Sequence, residues 1–367
     1  MNAPRLSLDK EQGPRVPPEL EPAPKKGLKG FLDRHHNKIW WLHSFYALGL
    51  GVLVMLFAQK GYEQARWLML GVIGLWLLII VFYRLFGTAG PPQTGTSVKL
   101  RIGFFVMTYV MKNLYQGMLF FLIPFYYRST TFGTPSQWFL VLLAIVSLLA
   151  TLDVVFDRYL MRYRVLSASY FFFTLFAALN LALPAFLPNL GPRASLIAAT
   201  LLALVGYVSL HMRALALRRR DIRYWLAGLS GAAMALSAVV GPLVPPVPYA
   251  VLEGSGIGPG IYRGRMLTAS YHAVVASSVG DLVALTTILA PGMTSLEGFK
   301  HVWRRDGREF RVVTPSEGGY SETPSAMILT SKLSRSDLPT NPVGHWSVEV
   351  LTSDDRLVGR VVCQVVE

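Results

Sequence analysis

Seven long apolar blocks constrain this chain more than any other feature of its sequence. They lie at about 39–58, 67–86, 102–123, 137–156, 166–187, 194–212 and 224–244. A helix of about 20 apolar residues crosses the hydrocarbon core of a bilayer. Only 15% of the 367 residues are charged, whereas soluble domains carry about 25%. The sequence therefore predicts a membrane all-α helical bundle of about seven transmembrane helices over residues 39–244.

The distribution of positive charge predicts the orientation of this bundle. Residues 1–250 contain 24 Lys and Arg against 9 Asp and Glu, while residues 251–367 contain 11 against 12. Connections rich in Lys and Arg alternate with poor ones, as the positive-inside rule describes for cytoplasmic and external loops. We therefore expect a bacterial inner-membrane protein with a cytoplasmic N-terminus and a periplasmic C-terminal part. The same distribution argues against nucleic acid as the partner of the positive charge.

The segment before the first block is predicted to be a disordered, basic, Pro-rich cytoplasmic tail. Residues 1–38 hold six prolines among scattered charges, a composition that cannot bury a core. Five basic residues lie near the membrane end of this tail: Lys25, Lys26, Lys29, Arg34 and Lys38. Clusters of this kind attract anionic lipid headgroups. The lipid bilayer is therefore the partner expected for this segment.

The third apolar block carries polar residues near its middle. Thr108, Lys112 and Gln116 lie four residues apart and so share one helix face, with Asn113 beside them. A lysine at mid-bilayer costs about 2.5–3.5 kcal/mol on insertion scales, so Lys112 is expected to face other helices. Two interpretations stay open. In the first, the stripe forms a polar cavity or substrate path. In the second, Lys112 only holds helices together, through a hydrogen bond to Asn180 of the fifth block or to backbone carbonyls.

Beyond the blocks, the apolar runs shorten to the length of strands. Residues 245–261 are rich in Pro and Gly and are predicted to be a linker. Residues 262–367 contain six such runs, with hairpin turns predicted at Asp306-Gly307 and at 353–355. This pattern predicts a small all-β sandwich, Ig-like and extracytoplasmic.

Two further features of the C-terminal segment bear on this expectation. An eighth span at 266–290 is the alternative for its apolar beginning, and the charge of Asp281 argues against it. Cys363 is the single cysteine of the chain, so intramolecular disulfides are excluded and a buried core position is expected for it.

Four short motifs give the C-terminal segment a resemblance to a known bacterial family. They are His301-Val-Trp303-Arg-Arg-Asp306-Gly307, Thr330-Ser331-Lys332, Gly344-His-Trp346-Ser-Val348-Glu-Val350 and Leu357-Val-Gly359. On these motifs, residues 266–366 resemble the domain-of-unknown-function 2914 family. The resemblance implies a fold and a location for this segment, and it supplies no catalytic residue.

An arginine-rich turn is the candidate binding edge of the outer domain. Four arginines flank the first predicted hairpin turn: Arg304, Arg305, Arg308 and Arg311. They are a candidate anion-binding edge. The alternative is a solvated, charged strand edge that resists aggregation.

No motif in the sequence names a reaction. The seven histidines form no His-Glu-x-x-His pattern, and no Walker loop, Gly-x-Ser-x-Gly elbow or Cys-x-x-Cys pair occurs, so no metal or cofactor is expected. Enzyme activity is left open. The outer domain is expected to be a binding or assembly module for an envelope protein or ligand. The alternative is a transporter or membrane-embedded enzyme with a polar site around Lys112.

Overall fold

A computed structural model of the chain describes most of its length beyond the N-terminal segment. The described residues are 65–86, 98–152, 156–160, 163–187, 190–211, 221–262, 266–290, 298–318, 321 and 325–367, with isolated positions between 45 and 56. Ser44–Glu367 form one compact unit. The predicted tail, and with it the expected headgroup contacts at Lys25, Lys26, Lys29, Arg34 and Lys38, lies outside the described residues.

The first part of the compact unit is helical. Among the described residues it contains α1 Ala65–Phe86, α2 Val98–Arg128, α3 Gln137–Thr151, α4 Arg164–Phe186, α5 Pro192–His211 and α6 Asp221–Val240. A π-helical segment, Phe156–Leu160, lies between α3 and α4, and a 3-10 turn, Gly241–Leu243, extends α6. The helices share one core, in which Tyr115 of α2 contacts Phe156 and Tyr170 edge to face.

The predicted seven-span bundle is wrong. Among the described residues, only Val165–Pro184 of α4 and Pro192–Leu210 of α5 are long and apolar enough to cross a membrane. The other apolar helical stretches are shorter: Gly71–Phe82, Gln137–Thr151 and Ala227–Leu243. A core helix of a soluble protein meets the same criterion, and 72% of the α4 stretch is buried inside this chain.

Two of the predicted spans fail for different reasons. The fourth block does not continue as one helix to residue 156, because Leu152 adopts an extended conformation and ends α3 at Thr151. The third block does form a long helix, but Lys112, Asn113 and Gln116 lower its hydropathy near the middle. Block length alone therefore overestimates the number of spans.

The C-terminal part is built of strands. Those described are β1 Ala250–Val251, β2 Gly256–Gly258, β3 Ile261–Tyr262, β4 Met266–Leu267, β5 Ala273–Val275, β6 Leu282–Leu289, β7 Phe299–Arg305, β8 Arg308–Val313, β9 Ser316–Glu317, β10 Ala326–Leu333, β11 Gly344–Thr352 and β12 Leu357–Val366. The first sheet has the order β1-β6-β10-β9, with β2 also paired to β6, and the second has the order β5-β12-β11-β7-β8. Strands β3 and β4 pair separately.

Both five-stranded sheets contribute to one core. Strand β11 places Trp346 opposite Cys363 of β12, and Val348 opposite Trp303 of β7. These four side chains are almost fully buried, and they pack with Ile257 and other apolar residues of the first sheet. The expected burial of Cys363 is confirmed.

The C-terminal part is not the Ig-like sandwich that the sequence predicts. Its second sheet is mixed, because β5 pairs with β12 in parallel while the other described pairs are antiparallel. The predicted linker at 245–261 contains β1 and β2, which both pair with β6 and so extend the first sheet. The fold class is therefore a helical part with two candidate spans, followed by a region of many strands in antiparallel and mixed sheets.

Two glycines show how local sequence shapes these strands. A Cβ atom on Gly258 would lie 2.0 Å from the Ala269 carbonyl oxygen, so only glycine fits where β2 passes the chain after β4. In the turn between β7 and β8, Asp306 and Gly307 have φ angles of 51° and 79°, the pair of left-handed conformations that a two-residue hairpin requires. The predicted hairpin at this turn is confirmed.

Candidate functional site

Arg356 connects the β11–β12 turn to the helical part. Its guanidinium donates from Nη1 to the Pro192 carbonyl oxygen at 3.1 Å and from Nη2 to the Val244 carbonyl oxygen at 2.8 Å. Pro192 begins α5, and Val244 follows the 3-10 turn after α6. Burial lowers the pKa of Arg356 from its ordinary value, and the Asp354 carboxylate opposes this shift. An arginine still keeps its proton in proteins, so a half-buried cation joins the turn to two helix ends.

Asp354, in the same turn, caps the beginning of α5. Its Oδ2 accepts a hydrogen bond from the Arg193 backbone N–H at 2.6 Å, and its Oδ1 accepts one from the Thr352 hydroxyl. The first N–H groups of a helix have no partner within the helix, and a carboxylate there also interacts favourably with the helix dipole. The turn is therefore fixed to α5 by a second, independent set of contacts.

A polar cavity of about 370 Å³ lies beside this turn. Its lining includes two cationic side chains, Arg193 and Arg356, and two carboxylates, Asp354 and Asp355. Asp355 is held by Lys300, whose Nζ lies 2.5 Å from Oδ1. Asp355 is neutralised by Lys300, whereas Asp354 accepts only from neutral donors and keeps its negative charge. With Arg193 and Arg356 both positive, the charges at the cavity sum to a small positive excess.

An apolar cavity of about 230 Å³ adjoins the polar one, and Leu196 and Ser237 line both. The Ser237 hydroxyl donates to Thr200 Oγ1 at 3.0 Å, and Thr200 in turn donates to the Leu196 carbonyl oxygen at 2.7 Å. The two hydroxyl groups in the cavity lining thus donate to acceptors within the protein. The remaining lining is aromatic and aliphatic, and it includes Trp138, Phe139, Phe172, Phe176, Leu236 and Val240.

No sequence motif marks this junction. Arg193 is the one positive residue of its connection, and Arg356 directly follows a predicted hairpin turn, but neither feature suggests a partner far away in sequence. The only local signal is the proline at the beginning of α5 next to an arginine. Proline at a first helical position marks a helix start, and a helix start needs a cap.

The polar residues predicted on the third block lie on α2. Thr108, Lys112 and Gln116 are 8%, 4% and 2% exposed, so the stripe is buried within the helical part. Asn113 is half-buried. Thr108 and Asn113 each donate to the backbone carbonyl four residues earlier, a bond that satisfies the side chain within its own helix. The structure thus brings four of the five predicted residues together on one helix.

Asn180, the fifth of these residues, lies elsewhere. Its Nδ2 donates to the Tyr126 hydroxyl oxygen at 3.2 Å, and Tyr126 donates to the Ala177 carbonyl oxygen at 3.0 Å. Tyr126 follows Lys112 by 14 residues on the same helix, a distance of roughly 21 Å at 1.5 Å per residue. Asn180 therefore joins α4 to the far end of α2 and is separate from the polar stripe.

The four arginines of the candidate anion-binding edge do not converge on one point. Three of them bind partners in the β part: Arg304 with Glu349 at 2.7 Å, Arg305 with the Val343 carbonyl at 2.5 Å, and Arg311 with Asp337 at 2.7 Å. Arg308 is exposed at the turn. Arg360 also binds Glu349, at 2.5 Å. The charges thus serve contacts within and around the second sheet.

His301, the first residue of one of the four C-terminal motifs, is a buried histidine between the two sheets. His301 has no exposed surface, and its Nε2 lies 2.9 Å from Thr286 Oγ1 while its Nδ1 lies 2.8 Å from Ser331 Oγ. Trp303 Nε1 donates to the same Ser331 oxygen at 3.0 Å. Burial lowers the pKa of His301 to about 4, so the ring is neutral at pH 7. His301, Trp303 and Thr286 are fully enclosed, and this network connects the two sheets.

Neither thiol nor metal chemistry is supported by the described residues. Burial raises the pKa of Cys363 to about 11, so its thiol stays protonated at neutral pH. Within the part of the chain that the structure describes, no three His, Cys, Asp or Glu side chains come together as a metal site would require.

Comparison with known proteins assigns the helical part to a family. No curated protein matches this chain. A family model matches residues 26–258, more than half of the 367 residues, and this segment contains α1–α6 and the first two strands. It ends before the segment 266–366, whose resemblance to the domain-of-unknown-function 2914 family stays a prediction. The matching model is that of a family of unknown function, DUF5924, and the chain belongs to this family.

Proposed function

We propose that this chain is a membrane protein whose β part serves as a binding module for a ligand or protein of the cell envelope. The observation that carries the proposal is the placement of side chains in the helical part: apolar stripes lie on its outer surface, and polar side chains of α2 are buried inside it. On α1, Ile73, Leu77 and Val81 form a stripe that is 47%, 55% and 45% exposed. On α2, by contrast, Lys112 and Gln116 are buried. Intramembrane polar residues face the protein interior in this way.

The outer face of α3 repeats the pattern. Val141, Ile145 and Leu148 are 45%, 49% and 47% exposed and lie three and four residues apart, so they share one helix face. Single exposed apolar residues are ordinary in soluble proteins, but contiguous apolar faces mark contact with a membrane or a partner. The lengths of the apolar stretches in α4 and α5 support the membrane as that contact.

The junction supports a role for the β part that depends on the helices. Arg356 holds the β11–β12 turn against the beginning of α5 and the chain just after α6, and Asp354 binds the beginning of α5, so the β part is presented in a fixed position. As part of the proposal, the β part lies outside the cytoplasm. The support is its charge, since residues 251–367 lack the excess of Lys and Arg found in 1–250.

Alkaline carbonate extraction of cells that produce the full-length chain tests the membrane location. We expect the chain to remain in the membrane pellet. The triple variant Ile73→Lys, Leu77→Lys, Val81→Lys should leave the pellet or fail to accumulate, because three charges would face lipid. The matched control carries Val312→Lys and Val362→Lys, two exposed positions of the second sheet, and should behave as the unaltered chain. Recovery of the unaltered chain in the soluble fraction would overturn the proposal.

The binding role is tested with photo-crosslinking residues in the β part. A crosslinker at Val312 or Val362 in the full-length chain is expected to capture a defined envelope component, whereas one at Leu77 is expected to capture lipid. A periplasmic reporter enzyme fused after Glu367 should be active. Inactivity of the reporter contradicts the extracytoplasmic location, and absence of any crosslink from both β positions contradicts the binding role.

A transporter or membrane-embedded enzyme is the second candidate, and one observation favours it. Lys112 carries a cationic side chain that is only 4% exposed, on a face shared with Thr108 and Gln116. Buried ionisable groups in membrane helices often mark substrate or ion paths. The substitution of Lys112 described in the Discussion separates this candidate from a purely structural role.

A further inference from the structure

The two adjoining cavities at the junction have the polarity of a site for an amphiphilic molecule. One is lined by aromatic and aliphatic side chains of α3, α4 and α6, and the other is lined by charged groups of α5 and the β11–β12 turn. Leu196 and Ser237 line both, so the two spaces are neighbours. Ligand sites in proteins are characteristically apolar cavities with a few convergent polar groups.

The charges at the polar end favour an anionic head group. Arg356 lines this end with a guanidinium that is held in place by the Pro192 and Val244 carbonyls, and Arg193 adds a second, exposed cationic side chain. Lys300 neutralises Asp355, and Asp354, which accepts from the Arg193 N–H and from Thr352, keeps its charge. The two arginines therefore exceed the one unneutralised carboxylate. Guanidinium groups bind phosphate strongly, because their N–H donors match the geometry of its oxygens.

The rim of the apolar cavity points to the bilayer as the source of the ligand. Trp138, Leu142 and Leu243 all line the cavity and are 64%, 46% and 40% exposed. The opening between α3 and α6 therefore lies on the outer surface of the helical part. Tryptophan is enriched at the level of lipid head groups, and Trp138 lies at the beginning of α3, next to the polar cavity residues Pro135 and Ser136.

We propose that these cavities form one cleft that binds an acyl chain of an anionic membrane phospholipid, with the phosphate at Arg193 and Arg356. The inference rests on the proposed function, because the lipid comes from the bilayer in which the helices lie. The acyl chain occupies the space between Phe139, Phe172 and Leu236. The β11–β12 turn supplies the head-group contacts, so this site exists only where the β part is docked on the helices.

Native mass spectrometry of the full-length chain tests this inference. The chain is released from a neutral detergent after incubation with equal amounts of phosphatidylglycerol and phosphatidylcholine that carry identical acyl chains. Both lipids carry the phosphate, so the comparison measures the effect of the choline cation, which a site with excess positive charge disfavours. We expect phosphatidylglycerol, which lacks this cation, to be retained about tenfold more. Leu236→Trp should fill the apolar cavity and lower retention of both lipids. Arg193→Gln should remove the preference for phosphatidylglycerol while lipid is still retained.

Two matched controls separate these effects from general damage. Met234→Trp places the same large side chain on α6 at an exposed position outside the cavity, and Arg128→Gln removes an exposed arginine at the end of α2. Both should retain lipid as the unaltered chain does. Equal retention of the two lipids by the unaltered chain, or unchanged retention by Leu236→Trp, would overturn the inference.

The outcome is distinguishable from a failure of the proposed function. If the chain stays in the carbonate-extracted membrane but retains neither lipid selectively, the cleft inference is wrong and the membrane proposal stands. If the chain is soluble yet retains phosphatidylglycerol, the membrane proposal is wrong and so is the bilayer as the source of the ligand.

Discussion

Trp303 Nε1 donates a hydrogen bond at 3.0 Å to the Ser331 hydroxyl oxygen, which joins strand β7 of the second sheet to strand β10 of the first. His301 Nδ1 lies 2.8 Å from the same oxygen. One hydroxyl group therefore serves two buried polar side chains at the interface of the two sheets. Leaving a buried polar group without its hydrogen-bond partner destabilises a fold by more than a typical hydrogen bond stabilises it.

Replacement Ser331→Ala is expected to destabilise the β part by about 1–3 kcal/mol, because it leaves the Trp303 N–H and one His301 nitrogen without a partner. Denaturant unfolding of the full-length chain in neutral detergent at pH 7, followed by tryptophan fluorescence, measures the change. Ser316→Ala is the control, since Ser316 is exposed and its hydroxyl meets Thr330 at 3.0 Å. Equal losses in the two variants would contradict this prediction.

The buried His301 predicts a loss of stability in mild acid. Its pKa is lowered by burial from 6.5 to about 4, so between these values the unfolded chain binds a proton that the folded chain does not. The stabilising effect is complete above pH 6.5 and is lost as the pH falls towards 4, by up to about 3 kcal/mol at 1.36 kcal/mol per pKa unit.

The histidine variant His301→Gln isolates this effect from other acid-labile groups. Unfolding free energies at several pH values between 4 and 7 should depend less on pH in this variant than in the unaltered chain. His272→Gln, at an exposed position, should retain the full dependence. An unchanged slope in His301→Gln would show that the histidine is not the group responsible.

Replacement Arg356→Met is expected to destabilise the junction by about 2–4 kcal/mol, because the Pro192 and Val244 carbonyls lose a charged donor. Thermal unfolding and limited proteolysis around residues 245–262 measure the effect, and cleavage should become faster. Arg308→Met removes an exposed arginine from another turn of the β part and should change the melting temperature little. A melting temperature of Arg356→Met equal to that of the control would refute the structural role of this bridge.

Replacement Lys112→Met keeps most of the volume of the side chain and removes its charge. If Lys112 only holds helices together, thermal stability should hold or rise, because an apolar group of similar size often replaces a buried ionic group without loss. If it lines a substrate path, the fold should survive while the phenotype that depends on the gene is lost. A fall in melting temperature as large as that of Lys112→Ala, which also leaves a cavity, contradicts both interpretations.

Local structure in this chain follows closely from local sequence. The Asp306-Gly307 pair between two alternating runs predicts a hairpin, and the structure has that hairpin, because a two-residue turn needs residues that tolerate positive φ. The apolar blocks predict helices at similar positions. Their membrane-spanning character does not follow, since the fourth block ends its helix at the extended Leu152 and the third block carries buried polar residues around Lys112.

The candidate site could not be predicted in the same way. Arg356 and Val244 are 112 residues apart in sequence, and Arg193 and Asp354 are 161 apart. Every residue has a backbone carbonyl, so a carbonyl that accepts a hydrogen bond at the end of a helix cannot be recognised from the residue type. Contacts of this kind emerge only when both parts are folded, which is why the motifs of either part alone do not reveal the cleft between them.

The double hydrogen bond of Arg356 also has a mechanical consequence. The same guanidinium is hydrogen-bonded to the beginning of α5 and to the chain just after α6. A motion that separates these two points must therefore lengthen one of the two hydrogen bonds. Strand β11 leads directly into the turn that holds Arg356 and β12 leads out of it, with β11 in the interior of the second sheet. A tilt of α5 would therefore displace the β11–β12 turn as well, and strain in the helical part would be transmitted directly to the second sheet.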